Sequence, residues 1–98
     1  MGDIVDDVLQ LVSRCFDVSA GDIMSSRRTR QTLPARLVAV YLAKKVSRMS
    51  PRDLGRRFGG RDYTNILMYC RAIERQAMQD DRLRQQLLEM EGTLRARA

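Results

Sequence analysis

Between residues 50 and 62 the sequence switches one helix on and off within two turns and starts another at once, and this punctuation restricts the fold more than any other stretch. Ser50 followed by Pro51 is a strong helix start: the hydroxyl can accept from the N2 or N3 amide, proline is pre-set for the first turn, and Asp53 falls where a capping box wants an acceptor. Leu54 and Phe58, four residues apart, share the inner face of this short helix. Gly59-Gly60 stops it by permitting the positive φ of a C-cap. Asp62 or Gly60 then caps a further helix whose inner face reads Ile66, Cys70, Ile73 and Ala77. Two helices joined by about four residues that include glycines form a helix-turn-helix, here spanning residues 50–78.

Helical periodicity extends over the remainder. Ile4, Val8, Leu11, Val12 and Cys15 define a helix over 3–16, with Asp3 and Asp6 in the first turn where the helix dipole favours anions. Ser19 and Asp22 suggest a short turn of helix, and Ser25-Ser26-Arg27-Arg28-Thr29-Arg30-Gln31, with no apolar residue, reads as an exposed basic loop. Thr32 as N-cap and Pro34 in the first turn open a helix over 33–47, with Leu33, Leu37, Val40, Tyr41 and Leu42 facing inward and Arg36, Lys44 and Arg48 on a stripe open to solvent or phosphate. After Asp80-Asp81, Leu83, Leu87, Met90 and Leu94 form a final amphipathic stripe, suited to core packing and less so to a partner helix. Pro34 and Pro51 are the only prolines, and no linker, repeat or low-complexity segment divides the chain. The expectation is an all-α, compact helical bundle forming a single domain over residues 1–98.

The net charge of +6 is unevenly laid out: residues 1–24 carry −4, residues 25–75 carry +10, and residues 76–98 balance. A central block this basic is the electrostatic footprint of a nucleic-acid binder. Histidine is absent, and neither a motif nucleophile, paired carboxylates nor metal-ligand spacing is present, so the expectation is a protein that is not an enzyme, with no metal, cofactor or small-molecule substrate. Cys15 and Cys70 read as core thiols. No apolar run approaches a membrane span and the N-terminus lacks a signal-peptide pattern, so a cytoplasmic, nucleoid-associated protein with no membrane partner is expected.

In a helix-turn-helix the opening residues of the second helix meet base edges in the major groove. Here they are Arg61, Asp62, Tyr63, Thr64 and Asn65. Asn suits adenine, a carboxylate the cytosine amino group, and the Thr methyl thymine; Asp62 can equally cap its own helix, and the two roles are compatible. Phe58-Gly59-Gly60-Arg61-Asp62-Tyr63-Thr64-Asn65-Ile66-Leu67 resembles the FGGRDHTTVLHA signature of the C-terminal DNA-binding domain of the DnaA replication initiator family. The basic run 25–30, Pro34-Ala35-Arg36, Tyr41-Leu42, residues 50–55 and Cys70-Arg71-Ala72-Ile73-Glu74 follow in the family's order and spacing, so the similarity covers nearly the whole chain.

The resemblance implies a six-helix domain that binds double-stranded DNA at an asymmetric DnaA box, in replication initiation or its regulation. It implies Arg28 in the minor groove and Asp62, Tyr63, Thr64 and Asn65 at the major-groove reading positions. Arg36 and Lys44 would lie beside the duplex, with phosphate contacts from Arg27, Ser47, Arg48, Ser50 and Arg61. Two departures stand out. Tyr63-Thr64-Asn65 replaces His-Thr-Thr, which alters the base edges satisfied, and Arg56 and Arg57 add charge to the bracing helix. The GxxxxGK[ST] phosphate loop of an ATP-binding module is absent, consistent with either an excised domain or a stand-alone relative. The alternative reading is therefore a stand-alone regulator or adaptor that reads a different operator or binds the full-length initiator.

Overall fold

The computed structural model describes residues 2–26 and 28–97. They form six helices in the order α1 (Ile4–Phe16), α2 (Ala20–Met24), α3 (Thr32–Val46), α4 (Pro51–Arg57), α5 (Tyr63–Gln79) and α6 (Asp81–Arg97), with no strand among the described residues. The all-helical architecture and the helix-turn-helix, α4 to α5, agree with the sequence reading.

Each start has a local cause. Asp3 and Asp6 close a reciprocal capping box on α1: the Asp3 carboxylate accepts from the Asp6 N–H at 3.0 Å and the Asp6 carboxylate from the Asp3 N–H at 3.2 Å. Ser19 accepts from the Asp22 N–H at 3.1 Å to start α2. Asp80 accepts from the Leu83 N–H at 3.1 Å at the start of α6. At α3 the cap differs from expectation. Thr32 is the first helical residue, and the Thr29 hydroxyl accepts its N–H at 3.0 Å. Pro34 still falls within the first turn, where a missing N–H leaves no intrahelical bond unmade.

Helix α3 is the axis of the bundle, packed against α1, α2, α4, α5 and α6. Its buried residues are Thr32, Ala35, Arg36, Val38, Ala39, Val40, Leu42 and Ala43, whereas the expected inward residues Leu33, Leu37 and Tyr41 are only half-buried. A helix covered from several sides has no single apolar stripe, and its alanines let neighbouring helices approach closely. On α1 the buried stripe is Val5, Val8, Leu9 and Val12. It passes Cys15 by, so Cys15 is exposed and the expectation of a core thiol there is overturned. Cys70 is buried, and its desolvation pushes the thiol pKa up to about 11. Leu87, Met90 and Leu94 of α6 are buried with Leu83 packed beside them, so this stripe belongs to the core.

Candidate nucleic-acid interface

The turn between α4 and α5 is fixed by backbone-to-backbone contact. The Ser50 hydroxyl accepts from the Asp53 N–H at 3.2 Å with Pro51 in the first turn. Phe58 is fully buried and ends the helix. Gly59 and Gly60 take φ of +81° and +74°, a region closed to most side chains, and the Arg61 N–H donates to the Gly55 carbonyl at 2.8 Å. A Cβ on Gly55 would stand 2.1 Å from the Arg61 carbonyl oxygen, so only glycine lets the chain cross there. Gly55 was not singled out in the sequence; its signal, a glycine inside a two-turn helix, is weak.

Asp62 then caps α5, its carboxylate accepting from the Thr64 N–H at 3.4 Å. Ile66, Cys70 and Ile73 anchor the inner face of α5 in the core. The opposite face of its first turn is bare: Asp62, Tyr63, Thr64 and Asn65 are all exposed. The four expected base-reading residues of the major groove are thus brought together at one end of one helix, with their backbone held by the turn.

The basic residues divide into three groups. Arg28, Lys44 and Arg48 are exposed, as is Ser50, while Ser47 is half-buried and its hydroxyl accepts from the Met49 N–H at 3.3 Å. Arg27 lies outside the described residues. In the second group are guanidinium groups committed to the interior. Arg36 is 1% exposed. Its Nε donates to the Ile23 carbonyl at 2.7 Å and Nη2 to the Asp22 carbonyl at 3.1 Å. This overturns the expectation that Arg36 lies on a stripe open to solvent: its stem threads between α3 and α2, and the C-terminal carbonyls of α2 attract the cation. Burial, and then the proximity of Arg61, lower its pKa. Arg61 is half-buried, donates through Nη2 to the Ser25 carbonyl, and has an Nε without a hydrogen-bond partner among the described residues.

The third group neutralises charge. Arg56 pairs with Asp53 at 3.1 Å, and Arg57 reaches α1, pairing with Asp3 and with Asp6 at 2.9 Å. Hydrogen bonding to Arg57 holds the Asp3 carboxyl below the usual carboxylate range. The charge that Arg56 and Arg57 bring to the bracing helix is therefore largely met within the molecule. Sequence reasoning missed the two partners of Arg57 because α1 lies some fifty residues away in the chain. It also missed Arg52, whose guanidinium sits 5.4 Å from the Tyr63 ring centroid.

Among the described residues no group of His, Cys, Asp or Glu is arranged to hold a metal ion, and no helix is long and apolar enough to cross a membrane. Residues 5–73 match the family described as the bacterial dnaA protein helix-turn-helix. The chain is 42% identical over 83 residues to a chromosomal replication initiator protein DnaA from Brucella abortus, covering 85% of this chain and 17% of that protein. Over 70 residues it is 46% identical to the protein of the same name from Rhodopseudomonas palustris, covering 71% of this chain and 15% of that one. With its counterpart from Nitrobacter hamburgensis it shares 43% over 79 residues, 81% of this chain and 17% of the relative. It therefore spans about a sixth of the length of the relatives it matches.

Proposed function

This chain belongs to the bacterial DnaA helix-turn-helix family, and from that premise we propose that it binds double-stranded DNA sequence-specifically at an asymmetric site of the DnaA-box type. The observation that carries the reading is the bare polar first turn of α5, held out from the core by a turn whose glycines and Arg61–Gly55 hydrogen bond leave it little freedom. Asp62, Tyr63, Thr64 and Asn65 meet base edges in the major groove, with Asp62 also capping the helix. Arg28 enters the adjacent minor groove, and Lys44, Ser47, Arg48 and Ser50 position the backbone. Arg36 supports the interface from within, and Arg61 braces the loop that carries Arg28 while reaching a phosphate with what remains of its edge. The protein acts by binding, with no reaction of its own, and its output is replication initiation or control of it at the nucleoid.

A second reading has one specific observation behind it. Tyr63 and Asn65 differ from the His and Thr of the family signature at exposed reading positions, which favours a site that departs from the standard box, read by a stand-alone regulator or by an adaptor that also engages the full-length initiator. One experiment addresses the sequence-reading claim directly. Arg28→Ala weakens binding to the specific site by about 1 to 3 kcal/mol, while Arg48→Ala weakens binding to every duplex alike and reduces the salt slope by about one unit. Equal effects of both substitutions on specific and scrambled duplexes would refute it.

A further inference from the structure

The bracing helix carries three arginines with three different fates. Arg56 is paired with Asp53 and Arg57 with Asp3 and Asp6, whereas Arg52 is exposed and has no carboxylate partner among the described residues. Its guanidinium lies over the ring of Tyr63, 5.4 Å from the centroid. With Ser50 and Pro51 the two side chains line a shallow depression between the N-terminal ends of α4 and α5. Tyr63 is 44% exposed, so one part of the ring faces solvent while Arg52 occupies another.

A cation held over a ring is attracted by the negative face of the π system, and this contact consumes none of the five N–H donors of the guanidinium. It also narrows the range of rotamers the long side chain samples before it meets a ligand. Tyr63 is the first residue of α5, the end of the recognition helix that approaches the bases, so a group anchored on its ring is carried to the groove with it. The remaining exposed side chains of that turn, Asp62, Thr64 and Asn65, suit cytosine, thymine and adenine. None of them offers the paired donors that guanine O6 and N7 accept. The guanidinium of Arg52 has donors in that forked geometry.

We propose that Arg52, positioned by the Tyr63 ring, is a specificity-determining residue that reads one guanine through O6 and N7 in the major groove; this rests on the duplex-binding reading above. The ring that departs from the family signature is then the platform for an extra contact, and the two side chains act as one reading unit.

The test is selection from a randomised duplex library with the whole chain and four variants, followed by titration of the selected duplex across salt. The unsubstituted protein enriches a guanine at one position. Arg52→Ala flattens that position, with discrimination against the other three bases falling by roughly fivefold or more, and leaves the rest of the selected sequence in place. Arg52→Lys, which keeps the charge without the planar fork, weakens the guanine preference less than Arg52→Ala does and retains the salt slope. Tyr63→Phe keeps the platform and the guanine preference, whereas Tyr63→Ala loses it. An unchanged selected sequence for Arg52→Ala, or an equal loss on all duplexes with a salt slope lower by about one, would make Arg52 a phosphate contact or a bystander and overturn the inference. A failure of the unsubstituted protein to enrich any sequence would overturn the duplex-binding reading itself, and is seen before any substitution is compared.

Discussion

Two arginines in the basic block of this chain face inward, and their chemistry explains why. Arg36 and Arg61 direct their donors at the carbonyls of Asp22, Ile23 and Ser25, at the end of α2, where the helix dipole presents negative charge. The contacts tie the segment that leads into the Arg28 loop to α3 and to the turn before α5. Arg36→Met keeps most of the apolar stem and removes the guanidinium donor from the Ile23 carbonyl, a buried hydrogen bond, so stability measured by urea unfolding falls by about 1 to 3 kcal/mol, while the preference for a specific over a scrambled duplex survives below the melting transition. Full stability with lost preference would instead place Arg36 on the DNA. Burial of this residue was hidden in the sequence, since an arginine that shares a helical stripe with Lys44 and Arg48 reads as solvated until the five helices packed around α3 are known.

At the scale of elements, the turn decides how the reading helix is presented. Gly59 and Gly60 both adopt positive φ, but a Cβ at Gly59 would lie 2.6 Å from the Met24 carbonyl oxygen, whereas one at Gly60 would meet nothing within 4 Å. Gly60→Ala therefore costs only the left-handed backbone strain, about 1 to 2 kcal/mol. Gly59→Ala adds a clash with backbone and costs about 1 to 3 kcal/mol more, a ranking that thermal melts of the two variants check. This element was legible in the sequence because its signals are local: Ser50-Pro51 opens α4, Gly59-Gly60 closes it, and Asp62 caps α5, each as read from neighbouring residues. The inner stripes of α5 and α6 were legible for the same reason, as helices with one buried side. What escaped depends on distant partners. The orientation of α3 is set by neighbours on several sides, Cys15 lies just off the stripe that Val12 defines, and Arg57 finds Asp3 and Asp6 on α1.

Over the whole molecule, the uneven charge of the sequence becomes a division of labour. The acidic first helix meets Arg57 of the bracing helix and thereby fastens α1 to the helix-turn-helix; these half-exposed pairs contribute below about 1 kcal/mol each. Arg28, Lys44, Arg48 and Arg52 remain exposed, and the overall charge of +6 adds a field that draws a polyanion. Non-specific attraction of this kind is expected of any basic protein, so the central claim turns on discrimination and not on binding alone. The direct measurement is fluorescence anisotropy of the chain with a duplex bearing a standard DnaA box and with a scrambled duplex, both at about physiological salt. The account predicts binding to the box roughly 1,000-fold tighter or more, and equal, weak binding to both duplexes would contradict it.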